Sequence, residues 1–207
     1  MIKVTAETLE KALIFAINAH KGQVRKGNGR PYILHPISVM ARIFDNKKSE
    51  NMYLLACAAV LHDCVEDTDV TINDIKLEFG EDISAIVDEL TLDKEKYATI
   101  GKKEYLAKEV NSMSPYALAI KLCDRLDNVC DMKDMSDSFR SNYVPETWYI
   151  LNKLDRDLTP SHKNLIEQIK AELGKYEKYN VPSVEVIKNK IGKLEVYENG
   201  KLTGSQG

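Results

Sequence analysis

A histidine followed directly by an aspartate, His62-Asp63, ends the apolar run Tyr53-Leu54-Leu55-Ala56-Cys57-Ala58-Ala59-Val60-Leu61, and Glu66, Asp67, Thr68 and Asp69 come straight after. Ionisable groups beside a core helix cost free energy unless something pairs them. A divalent cation is one such partner. Two other segments carry the same kinds of side chain: His35 in Tyr32-Ile33-Leu34-His35-Pro36, and Asp124 in Lys121-Leu122-Cys123-Asp124-Arg125-Leu126. Two imidazoles and two carboxylates without a thiolate suit manganese, iron or zinc better than calcium or magnesium. Structural zinc sites usually bring cysteines. The set therefore points to a catalytic centre with an open water position, and to metal-assisted hydrolysis.

The neighbours of these residues extend the reading. A helix continued through residues 62–68 puts His62 and Glu66 on one face, and Asp63 and Asp67 on another. Glu66 and Asp67 are then general acid/base candidates beside a bound water. A frayed helix end with solvated acids is the alternative for this segment. Asp124 lies in a helix of buried pattern, where Asp is a poor interior residue, so it wants a partner: a metal, or structurally Lys121 or Arg125. Asn128, four residues on, falls on the same face at the pocket wall. In the loop Gly22-Gln23-Val24-Arg25-Lys26-Gly27, Arg25 can bind phosphate or stack on a base, and Lys26 offers a point charge. Residues 21–34 hold four basic residues and no acid, whereas residues 62–69 hold four acids and no Lys or Arg. A small anion fits between such a loop and a metal in an acidic pocket.

Helices must position these groups. Thr5 is a candidate N-cap for a helix with Leu9, Ala12, Leu13, Ala16 and Ile17 at the 3.6 period, stopping near Gly22. Residues 27–31 read as a loop. A helix restarts after Pro36 with Ile37, Met40, Ala41 and Phe44 on one face. Residues 52–62 are nearly all apolar and predict a central, surrounded helix. Thr71 caps residues 72–79, ended by Gly80, and residues 83–90 form another helix. Residues 91–101 are polar and expected to be mobile. Residues 102–111 and 115–132 are helical, the latter opened by Pro115. Residues 144–158 and 161–179 make two more, the second charged and expected on the surface. Leu194-Glu195-Val196-Tyr197 before Asn199-Gly200 resembles a short hairpin, and residues 204–207 are expected to be disordered. The fold class is all-α, a single bundle of roughly eight to ten helices, with a domain over 1–180 and an extension over 181–207.

Bulk properties exclude several classes. The chain has 207 residues, 43% apolar, enough for a sizeable core. A net charge of −3 argues against nucleic-acid or membrane-surface binding. No signal-peptide apolar region opens the chain, and no apolar stretch reaches the ~18 residues of a membrane span; a cytoplasmic location is expected. Cys57, Cys64, Cys123 and Cys130 lack Cys-x-x-Cys spacing and read as small buried residues of a reducing compartment. Oligomeric state is not legible.

The ordered set Ala19-His20-Lys21-Gly22-Gln23-Val24-Arg25-Lys26, Pro31-Tyr32-Ile33-Leu34-His35-Pro36, Leu61-His62-Asp63-Cys64-Val65-Glu66-Asp67-Thr68, Phe79-Gly80 and Ile120-Lys121-Leu122-Cys123-Asp124-Arg125-Leu126-Asp127-Asn128 resembles the hydrolase domain of RelA/SpoT alarmone enzymes, members of the HD phosphohydrolase superfamily. The resemblance spans about residues 5–158 and is nearer to the stand-alone small alarmone hydrolases, since no room remains for a synthetase domain. It implies an HD-domain helical bundle. It implies one Mn²⁺ held by His35, His62, Asp63 and Asp124, with Glu66 and Asp67 activating and orienting water. It implies that Arg25 and Lys26 flank a guanine base and that Asn128 contacts the nucleoside. The implied reaction is hydrolysis of the 3′-pyrophosphate of ppGpp or pppGpp to GDP or GTP plus pyrophosphate. The alternatives are another nucleotide phosphate such as NADPH, or a module that binds alarmone without turnover. Asp127 departs from the histidine many long members carry, and Cys123 from a common alanine. Lys102 or Lys103 is a further phosphate-contact candidate.

Overall fold

Local sequence signals open most of the helices in the computed structural model, which describes residues 4–180, 184–188, 194–198 and 201–206. Helix α1 (Ala6–Ala19) starts at Thr5, whose backbone N–H donates to Thr8 Oγ1 at 3.2 Å, and buries Ala12 and Ala16. It ends ahead of Gly22, and Ile17 stays exposed. Helix α2 (Leu34–Asn46) begins before Pro36 rather than after it. A proline is tolerated in a first turn because the N–H it lacks has no intrahelical acceptor there. The buried face of α2 is His35, Pro36, Val39 and Ile43, while Ala41 and Phe44 are exposed, correcting the expected face. The physical reason is that α2 packs between α3 (Met52–Leu61) and α9 (Pro115–Cys130), which draw His35 inward.

Every side chain of α3 from Leu55 to Leu61 is buried. Burial of one Leu contributes roughly 1.5–3 kcal/mol, so α3 anchors the bundle. The helix does not run on through residues 62–68. It breaks at His62-Asp63, and the short α4 (Cys64–Asp67) follows. Then come α5 (Ile72–Phe79), capped by Thr71 Oγ1 accepting from Asp74 N at 3.2 Å, and α6 (Glu81–Leu90). The segment expected to be mobile carries α7 (Lys94–Ile100), because Asp93 Oδ1 accepts from the N–H groups of Glu95 and Lys96 and nucleates a turn. Helix α8 (Lys102–Ser112) precedes α9, which Ser114 caps and Pro115 opens.

A 3₁₀ turn (Asp131–Asp134) leads into α10 (Asp137–Asn152), which starts earlier than expected because Ser136 Oγ accepts from Phe139 N. Pro145 lies within it without ending it. Helix α11 (Pro160–Leu173) buries Leu165, Ile166, Ile169 and Leu173 against α9, so it is amphipathic rather than wholly superficial. A 3₁₀ segment (Gly174–Tyr179) closes the helical body. Beyond it, strands β1 (Val184–Lys188), β2 (Leu194–Glu198) and β3 (Lys201–Gln206) pair antiparallel in the order β1-β2-β3. Residues 204–206 therefore belong to β3, not to a disordered end; Gly207 lies outside the described residues. Cys57, Cys64 and Cys123 are free and buried, and burial pushes their thiols up to about 12, which leaves them protonated and inert. Among the described residues no helix is long and apolar enough to cross a membrane.

Candidate metal centre

Helix α2 brings His35, the turn after α3 brings His62 and Asp63, and α9 brings Asp124 to one point. His35 Nε2 lies 3.2 Å from Asp124 Oδ1 and 3.6 Å from Asp63 Oδ2. His62 Nε2 lies 3.1 Å from Asp63 Oδ2 and 4.0 Å from Asp124 Oδ1. Atoms held ~2.1 Å from one ion sit ~3.0–3.4 Å apart at tetrahedral or right angles and up to ~4.2 Å apart when opposite, so separations of 3.1, 3.2, 3.6 and 4.0 Å suit a shared cation. Among the described residues, His35, His62 and Asp124 form a ligand group whose atoms all fall within 4.8 Å of one another.

The rings are turned for this. His62 Nδ1 lies 2.8 Å from Ala59 O, and a carbonyl can only accept, so Nδ1 carries a proton. Its Nε2 is buried and has no hydrogen-bond partner among the described residues, since the approach to Asp63 lacks hydrogen-bond geometry. A buried imidazole nitrogen with no hydrogen-bond partner, aimed at two carboxylates, suits a metal ligand. His35 Nδ1 lies 2.8 Å from Asp127 Oδ2, which likewise turns Nε2 to the centre.

Without a metal the same groups form ion pairs. Burial disfavours charged His35, but Asp124 and Asp127 outweigh it and hold the ring at about 9. Burial would raise Asp63 and Asp124, yet His62 and His35 keep Asp63, and Lys121 and His35 keep Asp124, below the usual carboxylate range. The raised histidine stabilises the fold fully below its ordinary value of about 6.5. That stability is lost as pH rises to about 9. The depressed carboxylates contribute above their ordinary range and lose that contribution in acid. Metal-free protein should therefore show a melting temperature that falls between about pH 6.5 and 9, and metal-loaded protein should not. Equal alkaline slopes in calorimetry would refute this.

The centre opens into a cleft of about 160 Å³ lined by, among others, Glu66, Asp67, Lys102, Lys121 and Asn128. Burial raises the Glu66 carboxyl, partly offset by Lys121. Tyr32 Oη sits 2.7 Å from Asp63 Oδ2 and 3.0 Å from Asp67 Oδ2, so Asp63 and Asp67 do face one way despite the helix break. With one proton, that hydroxyl can donate to only one of them at a time. Lys121 Nζ is 3.2 Å from Asp124 Oδ2, the structural partner anticipated for Asp124, and it coexists with the ligand position. Tyr32 and Asp127, which touch the candidate centre, have no role assigned in the sequence reading, where Asp127 stands only as a departure from the family pattern. A second acid three residues after Asp124 in a buried helix was the available signal for Asp127; none existed for Tyr32.

The basic loop is docked rather than free. Arg25 is buried; its Nη2 and Nε donate to Asp131 Oδ2 at 2.9 and 3.2 Å, and its Nη1 to Asn128 Oδ1 at 3.2 Å. Asn128 Nδ2 in turn donates to Asp124 Oδ1 at 2.6 Å, linking loop to metal centre. Lys26 is exposed and does not line the cleft. Lys102 lines it, whereas Lys103 Nζ lies over the Tyr149 ring. Gly27 has φ +101°, and a Cβ there would meet Asp134 O at 2.5 Å. Gly27→Ala should lift the loop off the 3₁₀ turn and destabilise the protein by about 1–3 kcal/mol, read from denaturant unfolding; an unchanged midpoint would contradict this docking.

Comparison with known proteins agrees with the geometry. Residues 12–157 match the HD domain family. Guanosine-3′,5′-bis(diphosphate) 3′-pyrophosphohydrolase MESH1 of Homo sapiens is 36% identical over 144 residues, covering 69% of this chain and 75% of that protein. The bifunctional (p)ppGpp synthase/hydrolase SpoT of Escherichia coli is 33% identical over 172 residues, covering 80% of this chain and 23% of that one. A solved structure of a metazoan orthologue of SpoT that hydrolyzes ppGpp superposes with a TM-score of 0.69 at 26% identity, covering 83% of this chain and 98% of that one. With the histidine and aspartate that close α3 turned onto one centre, the chain belongs to the HD domain family.

Proposed function

We propose that this protein is a metal-dependent guanosine-3′,5′-bis(diphosphate) 3′-pyrophosphohydrolase, releasing pyrophosphate from ppGpp or pppGpp and leaving GDP or GTP. The observation that carries the reading is the convergence of two imidazole Nε2 atoms and two carboxylates on one point beside Glu66 and two lysines. The human and E. coli relatives are named for this activity or for one that includes it.

His35, His62, Asp63 and Asp124 would hold the cation, for which Mn²⁺ suits the nitrogen and oxygen donors. When bound, it supplies Lewis-acid charge and lowers the pKa of water. The chain's own groups do the rest. Glu66 accepts a proton from the attacking water; its raised carboxyl brings it nearer to working pH. The water oxygen bonds to the phosphorus attached at the 3′ oxygen, the P–O3′ bond breaks, and the proton goes to O3′. Asp67, held by Tyr32, orients the water. Lys102 and Lys121 set positive charge against the pyrophosphate. Asn128, already fixed by Arg25, contacts the nucleoside. Three of the five N–H donors of Arg25 are taken by Asp131 and Asn128, which favours base stacking over bidentate phosphate pairing; Lys26 would flank the base from the loop. Residues 1–180 constitute the catalytic domain, and 181–207 an appended segment.

The test is product analysis. Chelator-stripped protein given Mn²⁺ and ppGpp should yield GDP and pyrophosphate in equal amounts. Intact ppGpp, bound or unbound, would overturn the reading, and turnover of an adenine nucleotide instead would identify a different substrate.

A further inference from the structure

Asp127 lies outside the cation's ligand set and does not line the cleft, yet it is buried at 6% exposure. A carboxylate so placed must be stabilised by its partners. It has three, from two separate segments. Oδ2 lies 2.8 Å from His35 Nδ1 and 3.7 Å from Arg25 Nη2, and Oδ1 accepts from Arg42 Nε at 3.1 Å. His35 and Arg42 stand two turns apart on α2, so one carboxylate of α9 grips that helix at two levels. Arg25 belongs to the loop. The contacts close a ring: Arg25, Asp127, His35, Asp124, Asn128 and back to Arg25.

We propose that Asp127 is a positioning residue: it holds His35 in the orientation and tautomer that present Nε2 to the cation, and it ties this ligand to the Arg25 loop. The inference rests on the reading of His35 as a metal ligand. An imidazole whose Nδ1–H is donated to a carboxylate has its lone pair on Nε2 and cannot swing away without losing a charge-assisted bond. Arg25 and Arg42 keep the carboxylate ionised and in register.

The test measures metal affinity without nucleotide, in the full chain. Wild type, Asp127→Ala, Asp127→Asn and Arg42→Gln are stripped and titrated with Mn²⁺ and Zn²⁺ against a fluorescent chelator. Asp127→Ala should bind about 10–100-fold more weakly. Asp127→Asn, whose amide oxygen still accepts from Nδ1, should recover part of the loss, and Arg42→Gln should lose less than Asp127→Ala. In zinc-loaded protein, the His35 Nδ1 proton should exchange slowly in wild type and quickly in Asp127→Ala. If Asp127→Ala does not fold, Asp127→Asn carries the test with a severalfold loss. Equal affinities across folded variants would sink the proposal. Wild type that binds metal but leaves ppGpp intact would sink the functional reading alone, because the affinity ranking is read without substrate.

Discussion

Replacing His62 with alanine should abolish tight metal binding and lower ppGpp hydrolysis by about a thousandfold or more, since metal charge stabilisation is worth several kcal/mol and each 1.36 kcal/mol is a factor of ten. The ring is 2% exposed, and its one oriented bond, to Ala59 O, serves to direct Nε2 inward. Alanine removes the nitrogen that stands 3.1 Å from Asp63 and 4.0 Å from Asp124, leaving one imidazole, His35, beside the two carboxylates. The loss should be read in two ways: as stoichiometry of bound Mn²⁺ after desalting, and as pyrophosphate released per minute. A variant that retains one tightly bound ion and wild-type turnover would remove His62 from the centre. Excess Mn²⁺ should not restore activity, because the variant lacks one of the two imidazole donors of the ligand set.

Glu66→Gln separates chemistry from metal binding. Glutamine keeps size and polarity but cannot accept a proton, and loss of a general base typically costs 10²–10⁴-fold. Turnover should fall by about that factor while Mn²⁺ affinity stays unchanged. Burial raises the Glu66 carboxyl, so wild-type kcat/KM should rise with pH along a limb lying above the ordinary carboxylate range, and this limb should vanish in the variant. A variant with normal turnover, or one that loses metal together with activity, would assign Glu66 a different role. Asp67 is exposed and bonded to Tyr32, so Asp67→Asn should act more through orientation, with a smaller fall in kcat.

Much of this site was legible from residue types alone. Imidazole and carboxylate at the end of an unbroken apolar run announce a buried polar cluster, because burial without a partner is costly. Helix existence followed from periodicity, caps and prolines, all local signals, and α3 and α9 emerged as read. Local signals failed where the decision was non-local. The core face of α2 was misread because α3 and α9, not the pattern within α2, determine which side turns inward. The break at His62-Asp63 was not foreseen either, since nothing in the residues between Leu61 and Asp67 is a helix breaker.

Composition and order therefore determined the chemistry available: two histidines, two aspartates, a nearby glutamate and a basic loop. Tertiary structure alone decided how these are aimed. Asp127 meets His35 across 92 positions, and Arg25 meets Asp131 across 106. Hydrogen bonds act over about 3 Å, and no spacing along the chain encodes which distant donor arrives within that range.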